Sequence, residues 1–169
     1  SENQLIQQPA IELFGELKWE TADLYSEWAS SKSTEGRETE HEVVLVPRLR
    51  AALESLNPDL PAEALAQAID ELTRDRSKMV KEEASREVYR LLKDGVKVDV
   101  KRDDGGWDKE VVKVIDWRTA ANNKFFLASE FWVAGDMYRR RCDLVGFVNG
   151  IPLLMVELKA VHKNLKNAF

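Results

Sequence analysis

The dipeptide Asn149-Gly150 stands between two apolar runs, RCDLVGFV at 141–148 and IPLLMVELKA at 151–160, and no other feature restricts the fold as tightly. Asn-Gly between strand-like runs marks a tight antiparallel hairpin, because both residues accept the positive φ that such turns need. Loop length then decides which side chains share a face. With a two-residue loop, Val148 pairs with Ile151, and Asp143 and Glu157 fall on opposite faces. With a three-residue loop ending in a bulged glycine, Phe147 pairs with Ile151, and Asp143 joins Glu157 and Lys159 on one face. Both faces of both runs are apolar, so the strands are expected in the middle of a sheet with cover on each side. An unpartnered carboxylate there is costly. A divalent cation between the two acids would remove that cost, which favours the bulged turn.

Such a cluster has a definite chemistry. Two carboxylates can hold Mg²⁺ at about 2.1 Å, with water and a substrate phosphate completing the shell. The ion lowers the pKa of a bound water and stabilises charge on phosphorus oxygens. Lys159 would orient the attacking water and neutralise developing charge. The reaction would be phosphodiester hydrolysis, with Asp143 and Glu157 as ligands. The alternative is an inert cross-strand salt bridge around Glu157 and Lys159. Spacing alone is weakly specific, since Asp99-Val100-Lys101 and Glu16-Leu17-Lys18 both fit the second half of the pattern. The latter falls in a helix expected over 8–18, where Glu16 and Lys18 point about 200° apart into solvent.

Elsewhere the hydrophobic period changes at Gly95, from helical before it to alternating after it. The helix over 8–18 draws on Ile6, Ala10, Leu13 and Leu17, with Ile11 and Phe14. Residues 26–40 are small and polar and read as a loop; 43–46 is a short β-prone run. Pro47 and Pro61 open helices, a third runs from about Lys78 to Lys93, and 47–94 form a helical block. Strands follow at 96–100, 110–117 and 124–133, the first two joined by a loop containing Asp-Gly-Gly. This order predicts an α+β or mixed α/β domain built on one sheet.

The length suits one domain over 1–169. A formal charge of −5 offers no global field for a polyanion, so any such contact needs a local patch or bound cations. Arg139-Arg140-Arg141 is the candidate patch: residues 136–169 hold six Lys/Arg against three Asp/Glu. These arginines would contact phosphates beside the scissile bond, or would be a solvated strand end with one of them paired to an acid. One cysteine, Cys142, excludes an internal disulfide and fits a reducing compartment; with no membrane-spanning run, the expected location is cytoplasmic. Cys142 reads as a small buried residue, His41 and His162 as surface residues, and Trp107, Trp117 and Trp132 as core. No G-x-x-x-x-G-K-[ST] is present, so ATP is not bound here through a P-loop.

The segment RRRCDLVGFVNGIPLLMVELKA closely resembles the catalytic hairpin of the R subunit of type I restriction-modification enzymes, in the PD-(D/E)xK nuclease superfamily. GRETEHEVVLVPRLRAALESLNPDLP, LLKDGVKV and VIDW…NNKFFLASEFWVAG resemble that subunit's N-terminal region, in the same order. The resemblance implies a restriction-endonuclease-like core, with a central mixed sheet, flanking helices and a helical insertion before the catalytic hairpin. It also implies Mg²⁺-dependent cleavage of double-stranded DNA, and an ATP-driven translocase later in the same polypeptide. The methyltransferase and specificity subunits of the restriction complex would be partners. By position, Asp143 and Glu157 would be metal ligands, the backbone carbonyl of Leu158 a further one, and Lys159 the catalytic lysine. Two residues depart from the pattern: Cys142 where proline is usual, and Gln7 near where this family tends to have glutamate. The ending, VHKNLKNAF, reads as the edge of a front piece of something longer.

Overall fold

A computed structural model describes residues 2–159, with side chains from Leu5 onward. The chain divides into two units: one takes in residues up to 43, 125–148 and those from 152; the other holds 44–124 and 149–151.

The first unit begins with α1 (Glu2–Glu16), longer at its N-terminus than the expected 8–18 and carrying Pro9 inside it. The helix sinks Gln7, Ile11 and Phe14 inward and leaves Leu13 and Leu17 more than half exposed. It ends before Lys18, whose φ of 68° turns the chain toward Trp19. The first Glu-Leu-Lys is therefore solvated, as expected, but only Glu16 is helical. Trp19 lies edge-on against Phe14 and 5.0 Å from Phe125, seating the helix end.

β1 (Glu20–Asp23) runs parallel to β4 (Phe125–Gly135), which pairs antiparallel with β5 (Tyr138–Val148). With β6 (Ile151–Val156) the sheet has the order β1-β4-β5-β6, a mixed sheet. β1 has no sequence signature; ETAD is polar and becomes a strand because β4 presents it a free edge. Among the described residues β6 is a terminal strand, with Leu153, Leu154 and Met155 each at least 40% exposed, so the described residues do not supply the expected cover on both its faces. An apolar run says that a strand packs somewhere, not that it has a neighbour on each side.

The second unit contains α2 (Val46–Leu56), α3 (Ala62–Thr73) and α4 (Lys81–Asp94), so the helical block is present. The β-prone run at 43–46 forms no strand; Leu45 instead sits at the N-terminus of α2, fully buried. β2 (Val96–Lys101) and β3 (Trp107–Val112) make a separate two-stranded sheet, which corrects the expectation of a single sheet. Gly95, at φ 83°, turns the chain from α4 into β2 where a Cβ would meet the Val112 carbonyl at 2.6 Å. Trp107 and Trp117 are 63% exposed and do not belong to the core; β3 buries only Val112, and the Trp117 indole N–H donates to the Leu92 carbonyl. Taken together this is an α/β fold with a mixed sheet and helices.

Candidate active site

The turn after β5 is the two-residue kind. β5 ends at Val148 and β6 begins at Ile151, and Asn149 and Gly150 both have positive φ, 53° and 81°. This corrects the bulged three-residue loop. The reason lies in Asn149, which is fully buried and tied down on every side. Its amide donates to the Val114 carbonyl and to Asn123 Oδ1, and its Oδ1 accepts the Lys124 N–H, at 2.8–2.9 Å. Those bonds hold an asparagine in the left-handed region that a primed turn requires.

Parity then predicts Asp143 and Glu157 on opposite faces, but the alternation does not reach that far. β6 stops at Val156, so Glu157, Leu158 and Lys159 lie beyond the ladder. Instead, Asp143 Oδ2 accepts the backbone N–H of Leu158 at 2.7 Å. One hydrogen bond thus joins the aspartate to the middle of Glu-Leu-Lys. Both carboxylates act on the buried Cys142 thiol, pushed up first by burial and then by the charge of Glu157, with a smaller part from Asp143. Its Sγ lies 3.9 Å from Met155 Sδ, in apolar company.

The partners of the candidate residues are specific. Glu157 is ion-paired to Arg140 at 3.0 Å, with a third of its side chain exposed. Lys159 is exposed at the end of the described residues. Arg139 makes two 2.7 Å bonds to Glu40 and lies over the Trp132 ring, and Arg141 pairs with Glu130 at 2.6 Å. All three arginines therefore have acidic partners. Asp99 pairs with Lys109 on the β2–β3 ribbon. His41 is exposed, and His162 lies outside the described residues.

Two residues stand out beyond those the sequence singled out for chemistry. Glu130 has φ 57°, inside a strand, where a non-glycine residue seldom takes that value. The register steps from Ser129↔Leu144 to Phe131↔Cys142 across Glu130 and Asp143, which lie between without pairing in the ladder. Phe126 and Phe131, five residues apart, would face opposite ways on a regular strand. Both rings contact Phe147, at 5.8 and 5.3 Å, because the left-handed residue between them reverses the alternation. Into that break reaches Gln7 from α1, 7% exposed, its Nε2 donating to the Asp143 carbonyl at 2.9 Å and to Glu130 Oε1 at 3.1 Å. A lone acid in KFFLASEFWV was the available signal; its meaning depends on the β4–β5 register.

Among the described residues no group of three or more His, Cys, Asp or Glu gathers as a metal cage. The carboxylates of Asp143 and Glu157 are oxygen donors of the kind Mg²⁺ takes while it keeps several waters. No helix among the described residues is long and apolar enough to cross a membrane.

The model of the type I restriction enzyme R protein N terminus matches residues 1–169. The type I restriction enzyme HindI endonuclease subunit of Haemophilus influenzae is 34% identical over 119 residues, 69% of this chain and 11% of that protein. A Methanocaldococcus jannaschii protein, provisionally named the MjaIXP endonuclease subunit of a type I restriction enzyme, is 31% identical over 140 residues, 79% of this chain and 13% of its own. The chain thus spans little more than a tenth of the length of these curated relatives. It belongs to the family of type I restriction enzyme R protein N-terminal regions.

Proposed function

We propose that this chain is the Mg²⁺-dependent endonuclease domain of a type I restriction R subunit, with a restriction-endonuclease-like core, hydrolysing phosphodiester bonds of double-stranded DNA. The observation that carries the reading is the bond from Leu158 N–H to Asp143 Oδ2, which sets the aspartate beside Glu157-Leu158-Lys159. Asp143 and Glu157, with the Leu158 carbonyl, would hold the ion; when bound it would activate water and offset charge on the scissile phosphate. Asp143 is held at its carboxylate by Leu158 and at its carbonyl by Gln7, so its position is fixed before substrate arrives. Lys159, exposed, is free of the sheet ladder to approach a phosphate oxygen and neutralise its charge. Arg140 serves as counter-ion to Glu157 until a cation takes that role, and Arg139 to Arg141 would contact DNA phosphates. The ATP-driven motor, the methyltransferase and the specificity subunit would be supplied outside these residues.

The test is cleavage by the assembled restriction enzyme with D143A, E157A or K159A. Each should abolish cleavage while ATP-driven translocation continues. Wild-type cleavage in all three would remove the reading. A second reading, an inert module for DNA holding or docking, draws on the fact that protein donors already engage both acids. It predicts cleavage-independent DNA affinity and no effect of the three substitutions.

A further inference from the structure

We propose that Gln7 is a positioning residue for Asp143, braced by Glu130, and that with Glu130 opposite it this chain needs a donor rather than a second carboxylate at this place on α1. The inference rests on the nuclease reading above and adds a residue to its machinery.

The amide's orientation follows from its partners. A peptide carbonyl and an ionised carboxylate can only accept, so the nitrogen must face both, as the 2.9 and 3.1 Å contacts to Asp143 O and Glu130 Oε1 show. Gln7 therefore spends both of its amide protons on this one break in the ladder. The Asp143 carbonyl needs it, because Glu130 and Asp143 do not pair as their neighbours do. Glu130 is in turn held at its other oxygen by Arg141 Nε at 2.6 Å, and its side chain is 15% exposed. The links run Arg141, Glu130, Gln7, Asp143 and then Leu158, from a strand arginine to the segment carrying Glu157 and Lys159. Moving Gln7 would move the main chain of Asp143, and with it the carboxylate.

Glutamate has the shape of glutamine and none of its donors. In Q7E two carboxylates would meet at the 3.1 Å contact and a lone pair would face the Asp143 carbonyl. Adding E130Q turns the donor round and removes the like charges. Methionine at position 7 keeps the length, adds no charge and offers no donor.

The experiment is Mg²⁺-dependent duplex cleavage by the assembled restriction enzyme carrying wild-type chain, Q7E, Q7M, or Q7E with E130Q, with melting curves in parallel. Q7E should lower the rate about tenfold or more, the size of effect that loss of a charge-assisted bond has, and should raise the Mg²⁺ needed for half-maximal cleavage because Asp143 loses the donor at its carbonyl and shifts. E130Q on top should recover part of both, and Q7M should show the same Mg²⁺ shift more weakly. Should Q7E fail to fold, Q7M carries the comparison. Q7E cleaving as well as or better than wild type would overturn the proposal, since the position would then want an acid. Lower melting with an unchanged Mg²⁺ dependence in every variant would also overturn it, leaving Gln7 a packing residue. Absence of cleavage by wild type would instead remove the nuclease reading, and the positioning role with it.

Discussion

Arg37→Met followed by Glu27→Met should run downhill and then partly back up in stability. Arg37 and Glu27 form an ion pair with both side chains fully buried. Arg37 also donates to the carbonyls of Glu42 and Trp132, each at 3.0 Å, and its guanidinium lies 4.2 Å from the centre of the Phe131 ring. R37M leaves a buried carboxylate without its counter-charge, costing about 3–5 kcal/mol. The two carbonyls lose their donor as well, which adds about 1–3 kcal/mol. Against a domain's roughly 5–15 kcal/mol, that approaches unfolding. Adding E27M removes the stranded charge and should recover about 2–4 kcal/mol, because a dry apolar pair bears no desolvation cost. Urea unfolding at 25 °C of the four proteins in the cycle reads this directly. If R37M does not fold and the double variant does, the sign is already established. A double variant no more stable than R37M would refute the reasoning, and would mean that water reaches the pair in solution. The pair matters for the site because it fastens the loop at 26–40 to Trp132, two residues from Glu130.

Two further expectations concern charges around the site. Arg140 and Glu157 are 55% and 32% exposed, so their attraction is small, and R140A should raise Mn²⁺ affinity in the absence of DNA by no more than about fivefold. Calorimetry that found weaker binding would show that the arginine orders Glu157 rather than competing for it. The second concerns pH. The hydrogen bond from Arg139 holds the Glu40 carboxyl below its ordinary value, so the folded chain resists protonation there more than the unfolded chain does. That contribution is present above the ordinary glutamate range and is lost as pH falls through the lowered folded value. R139A should therefore flatten the stability–pH curve on the acid side, and parallel curves for the two proteins would contradict it.

How much of this could be read from the sequence is best judged at the turn. Asn149-Gly150 marks a hairpin unambiguously, and the helical block and the strand pair after Gly95 follow from their periods. The loop type did not follow, because the bonds that hold Asn149 left-handed come from Val114, Asn123 and Lys124, none of them local. The parity argument failed for a different reason: it let β6 run through Glu157, whereas the strand stops at Val156 and a side chain, not a ladder partner, takes the Leu158 N–H. Asp143 and Glu157 were visible as charges placed in apolar runs, which is a property of composition along a strand. Gln7 and Glu130 were not visible as a pair, since 123 residues separate them and only the β4–β5 register sets Glu130 across from Asp143. Local rules report the cost of burying a charge; they do not report which distant group offsets it. A site built across a break in a ladder therefore shows its acids in the sequence and conceals its donors.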